Sequence, residues 1–377
     1  MTIEIWKNIM QAEWYKAFIP HKFPPNKWFV LSPEIIKKAS EATLFLWKLD
    51  GITQLLPDVD FFLFMYIRKD ASSSSQIEWT MATMIDVIEA EAKTSNDLPS
   101  DVDDILHYVD ALNYGIERLK DFPISLRVIK EIHKELMDNA RATHFSDPWN
   151  FRVTQNWIWW TSPANARFVP PTVHEMDRSL TDLESFLHDN SPVLPIIKAW
   201  LVHAQFETIH PFLDWNGRTW RMLITLFLWL EEILERPVLF LSSYFIKHQK
   251  AYYENLDNYH NDNVEKWLDF FLDGIIETSK EAIETVKKIT ILRESDMWKI
   301  QCLNKNISEN SMKILIELYK LPIVNVSKMQ EWTWFTRQWA QKTIDRFIDM
   351  WILVQKDEDK NYWKSYIYKS YVDIFSN

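Results

Sequence analysis

At 377 residues, with 47% hydrophobic and 25% charged residues, the chain is long enough for two or three domains with a substantial core. Its net charge of −11 argues against general affinity for nucleic acid or anionic membranes, so any phosphate-binding character must be local. A single cysteine, Cys302, excludes an internal disulfide framework; with no signal-peptide layout in MTIEIWKNIMQAEW and no apolar run longer than Met222 to Leu230, the reading is of a cytoplasmic protein with no membrane partner.

Residues 1 to about 30 read as irregular, with AFIPHKFPPNK an extended, proline-fixed arm. From Pro33 to about Glu91 the spacing is helical, and a further helix pair is expected over roughly Val102 to Asp121 and Ser125 to Asn139. The stretch THFSDPWNFRVTQNWIWWTSPANARFVPP mixes turn formers with β-branched and aromatic residues, which predicts a hairpin. Helices then dominate to about Arg293. From about Ser311, SMKILIELYKLP and TRQWAQKTIDRFIDM read as helices, and WILVQKDEDKNYWKSYIYKSYVDIF reads as two short strands around a charged turn. Helices followed by a β-hairpin suggest a winged helix. Residues 311 to 377 carry ten Lys and Arg against eight Asp and Glu, a mild excess that gives only weak support to DNA binding.

Chemistry concentrates at residues 210 to 221, HPFLDWNGRTWR. PVLPIIKAWLVHAQFETI before it and RMLITLFLWLEEIL after it carry apolar residues at helical spacing, so the polar cluster falls on the turn between two helices. His210 would close the first helix, where an imidazole with a pKa near 6.5 can take a proton from a hydroxyl at neutral pH. Asn216 and Gly217 would open the second. A helix start offers unpaired N–H groups and a positive dipole end, and Arg218 and Arg221, three apart, add planar charged donors suited to phosphate. Asp214 is either a helix N-cap or the acid that a divalent metal wants beside phosphates. Phe212 reads as core, anchoring the loop.

This turn resembles the signature of the Fic family of nucleotidyl transferases, H-x-F-x-[DE]-G-N-G-R-x-x-R, with Trp215 in place of a glycine and Trp220 where members commonly have another. The resemblance implies a mainly α fold: a Fic-type helical core with a small β-hairpin flap over 121–293, an N-terminal helical region over 1–120, and a C-terminal winged-helix domain over 300–377. It implies a protein adenylyltransferase, moving AMP from ATP to a Ser, Thr or Tyr hydroxyl of a target protein and releasing pyrophosphate. His210 would be the base. Asn216, Gly217, Arg218 and Arg221 would bind the nucleotide, with Asn216 on the α-phosphate and Arg221 on the γ-phosphate, while Asp214 would hold Mg²⁺. Trp159 to Pro171 resembles the family's flap, with Phe168 and Val169 at its tip to align a target segment by strand addition. Ser74-Ser75-Gln76-Ile77-Glu78-Trp79 resembles the inhibitory motif [ST]-x-x-x-E-[GN], in which Glu78 would pair with Arg221 and deny the γ-phosphate its partner. Two rival readings are a de-adenylylating enzyme, in which that glutamate aligns water, and a nucleotide-sensing DNA-binding regulator with an inactive core. A homodimer and DNA stand as further candidate partners; nothing in the sequence names the target.

Tryptophan at glycine positions is a property of the whole chain. It has 20 Trp and only 4 Gly, whereas a chain of this length at the usual frequency would carry about 26 glycines. The expectation is that most of these tryptophans are UGA codons, read here as Trp but as Gly in the host. An unusually aromatic protein would give no reason for Trp at turns such as Pro148-Trp149-Asn150, or for the pair Trp159-Trp160.

Overall fold

The computed structural model describes residues 6–11, 14–24, 31–56, 59–95, 97–137, 147, 149–158, 162–189, 193–261, 263–356 and 364–375. In chain order its elements begin with β1 (Trp6–Met10), β2 (Lys16–Pro20), α1 (Pro33–Thr53), α2 (Asp60–Ile77), α3 (Met84–Ala92), α4 (Val102–Arg118), α5 (Leu126–Met137), α6 (Val173–Leu187) and α7 (Pro195–Ile209). They continue with α8 (Asn216–Leu230), α9 (Ser242–Lys247), α10 (Gln249–Tyr259), α11 (Val264–Gln301), α12 (Lys305–Lys320) and β3 (Ile323–Asn325). The last are α13 (Val326–Thr333), α14 (Arg337–Asp349), β4 (Val354–Gln355), β5 (Ser365–Ile367) and α15 (Lys369–Phe375). The chain is mainly α, as expected, with two small antiparallel sheets. Among the described residues no helix is long and apolar enough to cross a membrane. Two compact units form, one from residues 1–47 and 107–279, the other from 48–106 and 280–377.

In the first unit, α7 and α8 make the centre. Thirteen of the 15 residues of α7 and twelve of the 15 of α8 are buried, so both are covered on nearly every face. Helix α5 is built differently: Val128, Ile129, Ile132, Leu136 and Met137 recur at helical spacing and make one buried stripe. Gly115 lets α4 approach α8, since a β-carbon there would lie 2.9 Å from Leu226 Cδ1. Within the described residues the N-terminal arm, expected to be irregular, holds a hairpin. β1 and β2 pair antiparallel from Trp6 opposite Pro20 to Met10 opposite Lys16, and the alternating apolar face carries Trp6 edge-on to Phe18 and Tyr259.

The second unit packs α2 and α3 with the C-terminal elements. Thr83 caps α3 in a reciprocal box with Asp86, and Arg68 on α2 pairs with Glu91 on α3 at 2.5 Å. The sheet here has three strands in the order β3-β5-β4. Two were expected; β3 is only three residues long, too short to show an alternation of its own.

Backbone conformation singles out tryptophan. Among the described residues, eight non-glycine residues have positive φ, and five are Trp14, Trp79, Trp215, Trp334 and Trp351, with φ between 57° and 67°. Tryptophan makes up 20 of 377 residues, so chance would place fewer than one there. This left-handed region is the one that glycine enters without steric cost. The hydrogen bonds fit the same picture: Thr80 N–H donates to the Ser75 carbonyl at 3.2 Å and Trp79 N–H to the Gln76 carbonyl at 3.1 Å, the pattern of a glycine-terminated helix. Trp14, Trp79, Trp334 and Trp351 are 77 to 92% exposed, so their indoles gain nothing from the fold that would offset the strain. Trp220 lies inside α8, where the backbone suits any residue, so its reading as glycine rests on the motif.

Candidate active site

The loop between α7 and α8 carries most of the candidate site residues. Pro195 starts α7, and the helix ends where His210 turns left-handed (φ 49°, ψ 60°), its N–H donating to the Phe206 carbonyl at 2.9 Å. This turn leaves the imidazole half-buried, with Nδ1 3.9 Å from Glu207 Oε2, beyond hydrogen-bond reach. Phe212 is buried, as expected, and its ring stacks on His133 at 3.6 Å. The second helix opens after Trp215, itself left-handed, so the N-terminus of α8 faces the loop that carries His210.

Each expected residue has a definite place. Asp214 is exposed, and its carboxylate accepts from the Trp215 N–H at 2.8 Å; it is not the N-cap of α8, a position held by Trp215 with no side-chain bond. Asn216 is buried, its Oδ1 accepting from Phe212 N–H at 2.8 Å and its Nδ2 donating to Phe212 O at 2.9 Å. Its amide shapes the loop ahead of α8 through one N–H and its oxygen. Gly217 sits in the first turn of α8. The buried Arg218 guanidinium lies 4.0 Å from the centroid of the Trp215 ring, and Arg221, also buried, is near the hydroxyl of Tyr252 and the ring of His203. Burial, with the Arg221 charge second, holds the His203 imidazole well below its usual range. Neither ring nitrogen of His203 has a hydrogen-bond partner.

Phe168 and Val169, expected at the tip of the flap, are buried, 5% and 3% exposed. Phe168 stacks on His260 at 4.1 Å, Ile158 and Phe168 form a single antiparallel bridge, and Val169 accepts from Phe18 N–H of β2 at 3.0 Å. Apolar side chains this close to the N-terminal hairpin are held by it, and Val169 shares a small core with Tyr15, Ala17 and Ile19. Trp159 and Trp160 lie outside the described residues. Ser74 and Glu78 belong to the second unit: Ser74 is buried on α2, and Glu78 is exposed at the C-terminal end of that helix.

Three residues that sequence reasoning left without a role tie the loop down. Arg152, almost fully buried, donates from Nε to the His210 carbonyl at 3.0 Å, from Nη1 to Thr154 O at 3.2 Å, and from Nη2 to Pro171 O at 2.5 Å. Burial pulls its pKa down to about 10, which leaves it a cation at neutral pH. Asn156 Nδ2 donates to the carbonyls of His210 at 3.2 Å and Phe212 at 3.0 Å. His133 Nε2 lies 3.1 Å from the Asp214 carbonyl. Chemically, the loop presents an imidazole, a helix N-terminus, two arginines and an exposed carboxylate within twelve consecutive residues.

The Fic/DOC family N-terminal model matches residues 36–117, and the Fic/DOC family model matches residues 123–228. Protein adenylyltransferase fic-1 of Caenorhabditis elegans is 31% identical over 117 residues, 30% of this chain and 21% of that protein. Protein adenylyltransferase Fic of Nematostella vectensis is 30% identical over 125 residues, 32% of this chain and 27% of its own length. The matched segment thus spans about a quarter or less of these relatives. The fold is shared more widely: a crystal structure of a Fic family protein from Desulfovibrio desulfuricans G20 covers 90% of this chain and 97% of its own, at a TM-score of 0.59 and 16% identity. With the two models of one family matched in tandem across the helices that carry the site, the chain belongs to the Fic/DOC family.

Proposed function

We propose that the protein is an adenylyltransferase that moves AMP from ATP to a hydroxyl side chain of a target protein. The observation that carries this reading is the half-buried His210 imidazole on a loop that runs directly into the N-terminus of α8, with Arg218 and Arg221 on its first two turns. His210 takes the proton of the attacking hydroxyl, whose oxygen bonds to the α-phosphorus as the bond to the β-phosphate oxygen breaks and pyrophosphate leaves. Gly217, the N–H groups of the first turn and the two arginines receive the phosphates. Asn216 fixes the Phe212 backbone ahead of that turn and turns its second amide N–H to the α-phosphate. Among the described residues no group of three or more His, Cys, Asp and Glu gathers as a metal site. A single exposed carboxylate, Asp214, nevertheless suits Mg²⁺, which binds through one or two carboxylates with phosphate oxygens completing the shell. Bound there, the ion would neutralise charge on the leaving pyrophosphate.

The working enzyme, in this proposal, carries glycine at 215 and 220. The left-handed backbone at 215 supports it, and so does the indole stacked on Arg218, which occupies a guanidinium that the phosphates need. Glu78 and Ser74 form the inhibitory end of α2, with Glu78 acting on Arg221. The order helix, strand, helix, helix, strand, strand from α12 to β5 supports a winged-helix reading of residues 300–377, for which DNA and a second copy of the chain are candidate partners. The test is Mg·ATP affinity and AMP transfer of the chain with Trp215→Gly and Trp220→Gly against the chain as written. Tighter binding and transfer only in the glycine form are expected. Equal ATP affinity in both defeats the glycine assignment; tight binding without transfer favours a nucleotide-sensing regulator, and removal of AMP from a modified target favours a de-adenylylating enzyme.

A further inference from the structure

We propose that Arg152 and Asn156 are positioning residues that fix the His210 backbone and couple it to the flap. The four consecutive carbonyls of the loop that carries His210 are all claimed. Ile209 O accepts from Arg152 Nη2 at 3.4 Å, and His210 O from Arg152 Nε and Asn156 Nδ2 at 3.0 and 3.2 Å. Pro211 O accepts from the Arg152 backbone N–H at 2.8 Å, and Phe212 O from Asn156 Nδ2 and Asn216 Nδ2 at 3.0 and 2.9 Å. Five of these six bonds come from just two residues, both on the segment that leads into the flap.

The need for such a clamp lies in the His210 backbone. A residue with a β-carbon is driven out of the left-handed region, so the turn that aims the imidazole must be held from outside. Arg152 suits this task because a guanidinium offers five N–H donors in a rigid plane, whereas a lysine offers one point charge. The same guanidinium also binds Thr154 O and Pro171 O, on the outgoing and returning legs of the flap segment, and Gln155 Nε2 adds a bond to Pro170 O at 3.0 Å. A shift of the flap therefore strains the bonds that hold His210, and the leg that would present a target is fixed to the group that would deprotonate it. Both act through the backbone.

The activity readout rests on the proposed function, but hydrogen exchange does not. In the full chain with glycine at 215 and 220, Asn156→Ala and Arg152→Lys are compared with their parent by amide exchange over residues 209–215, ATP affinity and turnover of AMP transfer. The expected result is exchange faster by about tenfold in 209–215 and unchanged in α8, ATP affinity within about twofold, and turnover lower by about 10- to 100-fold, the range for a misplaced catalytic group. Asn156 is half-buried, so its alanine variant reports even if Arg152→Lys does not fold. Unchanged exchange over 209–215 in a folded Asn156→Ala protein overturns the clamp, as does a parallel loss of ATP affinity and turnover. A parent that transfers no AMP sinks the function reading alone, and exchange still decides the clamp.

Discussion

Replacing Trp14, Trp79, Trp334 and Trp351 by glycine is expected to stabilise the protein. Each of these residues holds a left-handed backbone, with φ of 64°, 67°, 57° and 59°, at a cost of about 1–2 kcal/mol for a residue with a β-carbon. Glycine removes that cost but brings a more flexible unfolded chain, worth up to about 1 kcal/mol in the opposite sense. A net gain of about 1 kcal/mol per position follows, because indoles 77 to 92% exposed forfeit little burial when removed. Trp14 lies in the first unit and the other three in the second, so if the gains add, the second should gain about 3 kcal/mol and the first about 1. Against a typical total of about 5–15 kcal/mol this is a large change. Urea unfolding of the quadruple glycine variant, the quadruple alanine variant and the parent measures it. Alanine removes the indole but keeps the β-carbon, so only glycine should raise the midpoint. Equal midpoints for the glycine and alanine variants would refute the backbone argument and leave the tryptophans as genuine.

Three further outcomes are expected. In the chain with glycine at 215 and 220, Glu78→Gly should raise incorporation of labelled AMP into the protein itself, whereas Arg221→Ala should suppress it with or without Glu78; a Glu78→Gly variant no more active than its parent removes autoinhibition. Stability should fall with acid between pH 7 and 5, because burial holds His260 down at about 3 and His203 well below its usual range, so the unfolded chain takes up protons that the folded one refuses. The slope is about 1.4 kcal/mol per pH unit per histidine below about pH 6.5, and urea midpoints that stay flat over that window would contradict it. The Trp215 indole should also report on the site: ligand-induced change in its fluorescence is expected when Mg·ATP is added to the chain as written at high concentration, since its ring covers Arg218, and a Trp215→Phe variant with an identical response would rule this out.

What could be read from the sequence was whatever has a period or a fixed spacing. The apolar recurrences of α5, α7 and α8 marked helices, and the spacing from His210 to Arg221 marked the turn between them. Arg152 and Asn156 escaped because a single polar residue in a loop has no period, and His133 because it sits among the apolar residues of α5; the carbonyls of residues 209–214 that the three reach are more than 50 residues away. The β1–β2 hairpin was hidden by prolines at 20, 24 and 25, which signal an extended arm as readily as a strand end. Phe168 and Val169 suited a strand but not a location: alternation tells which residues share a face, and only the contact with β2 shows that this face is buried. Residues 48–106 pack with the C-terminal elements, a long-range grouping on which local pattern is silent. The glycine deficit was legible as composition and Trp215 and Trp220 as motif positions, whereas Trp14 emerged only from φ.

The most direct test of His210 as the base of an AMP transfer is incorporation of label from α-labelled ATP, with Mg²⁺, by the chain carrying glycine at 215 and 220 and by its His210→Ala variant. The variant should retain ATP affinity, because Gly217, Arg218 and Arg221 remain, and should lose transfer by about 10²- to 10⁴-fold, the range for removal of a positioned base. Equal labelling by the two proteins, or loss of ATP binding in step with transfer, would contradict it.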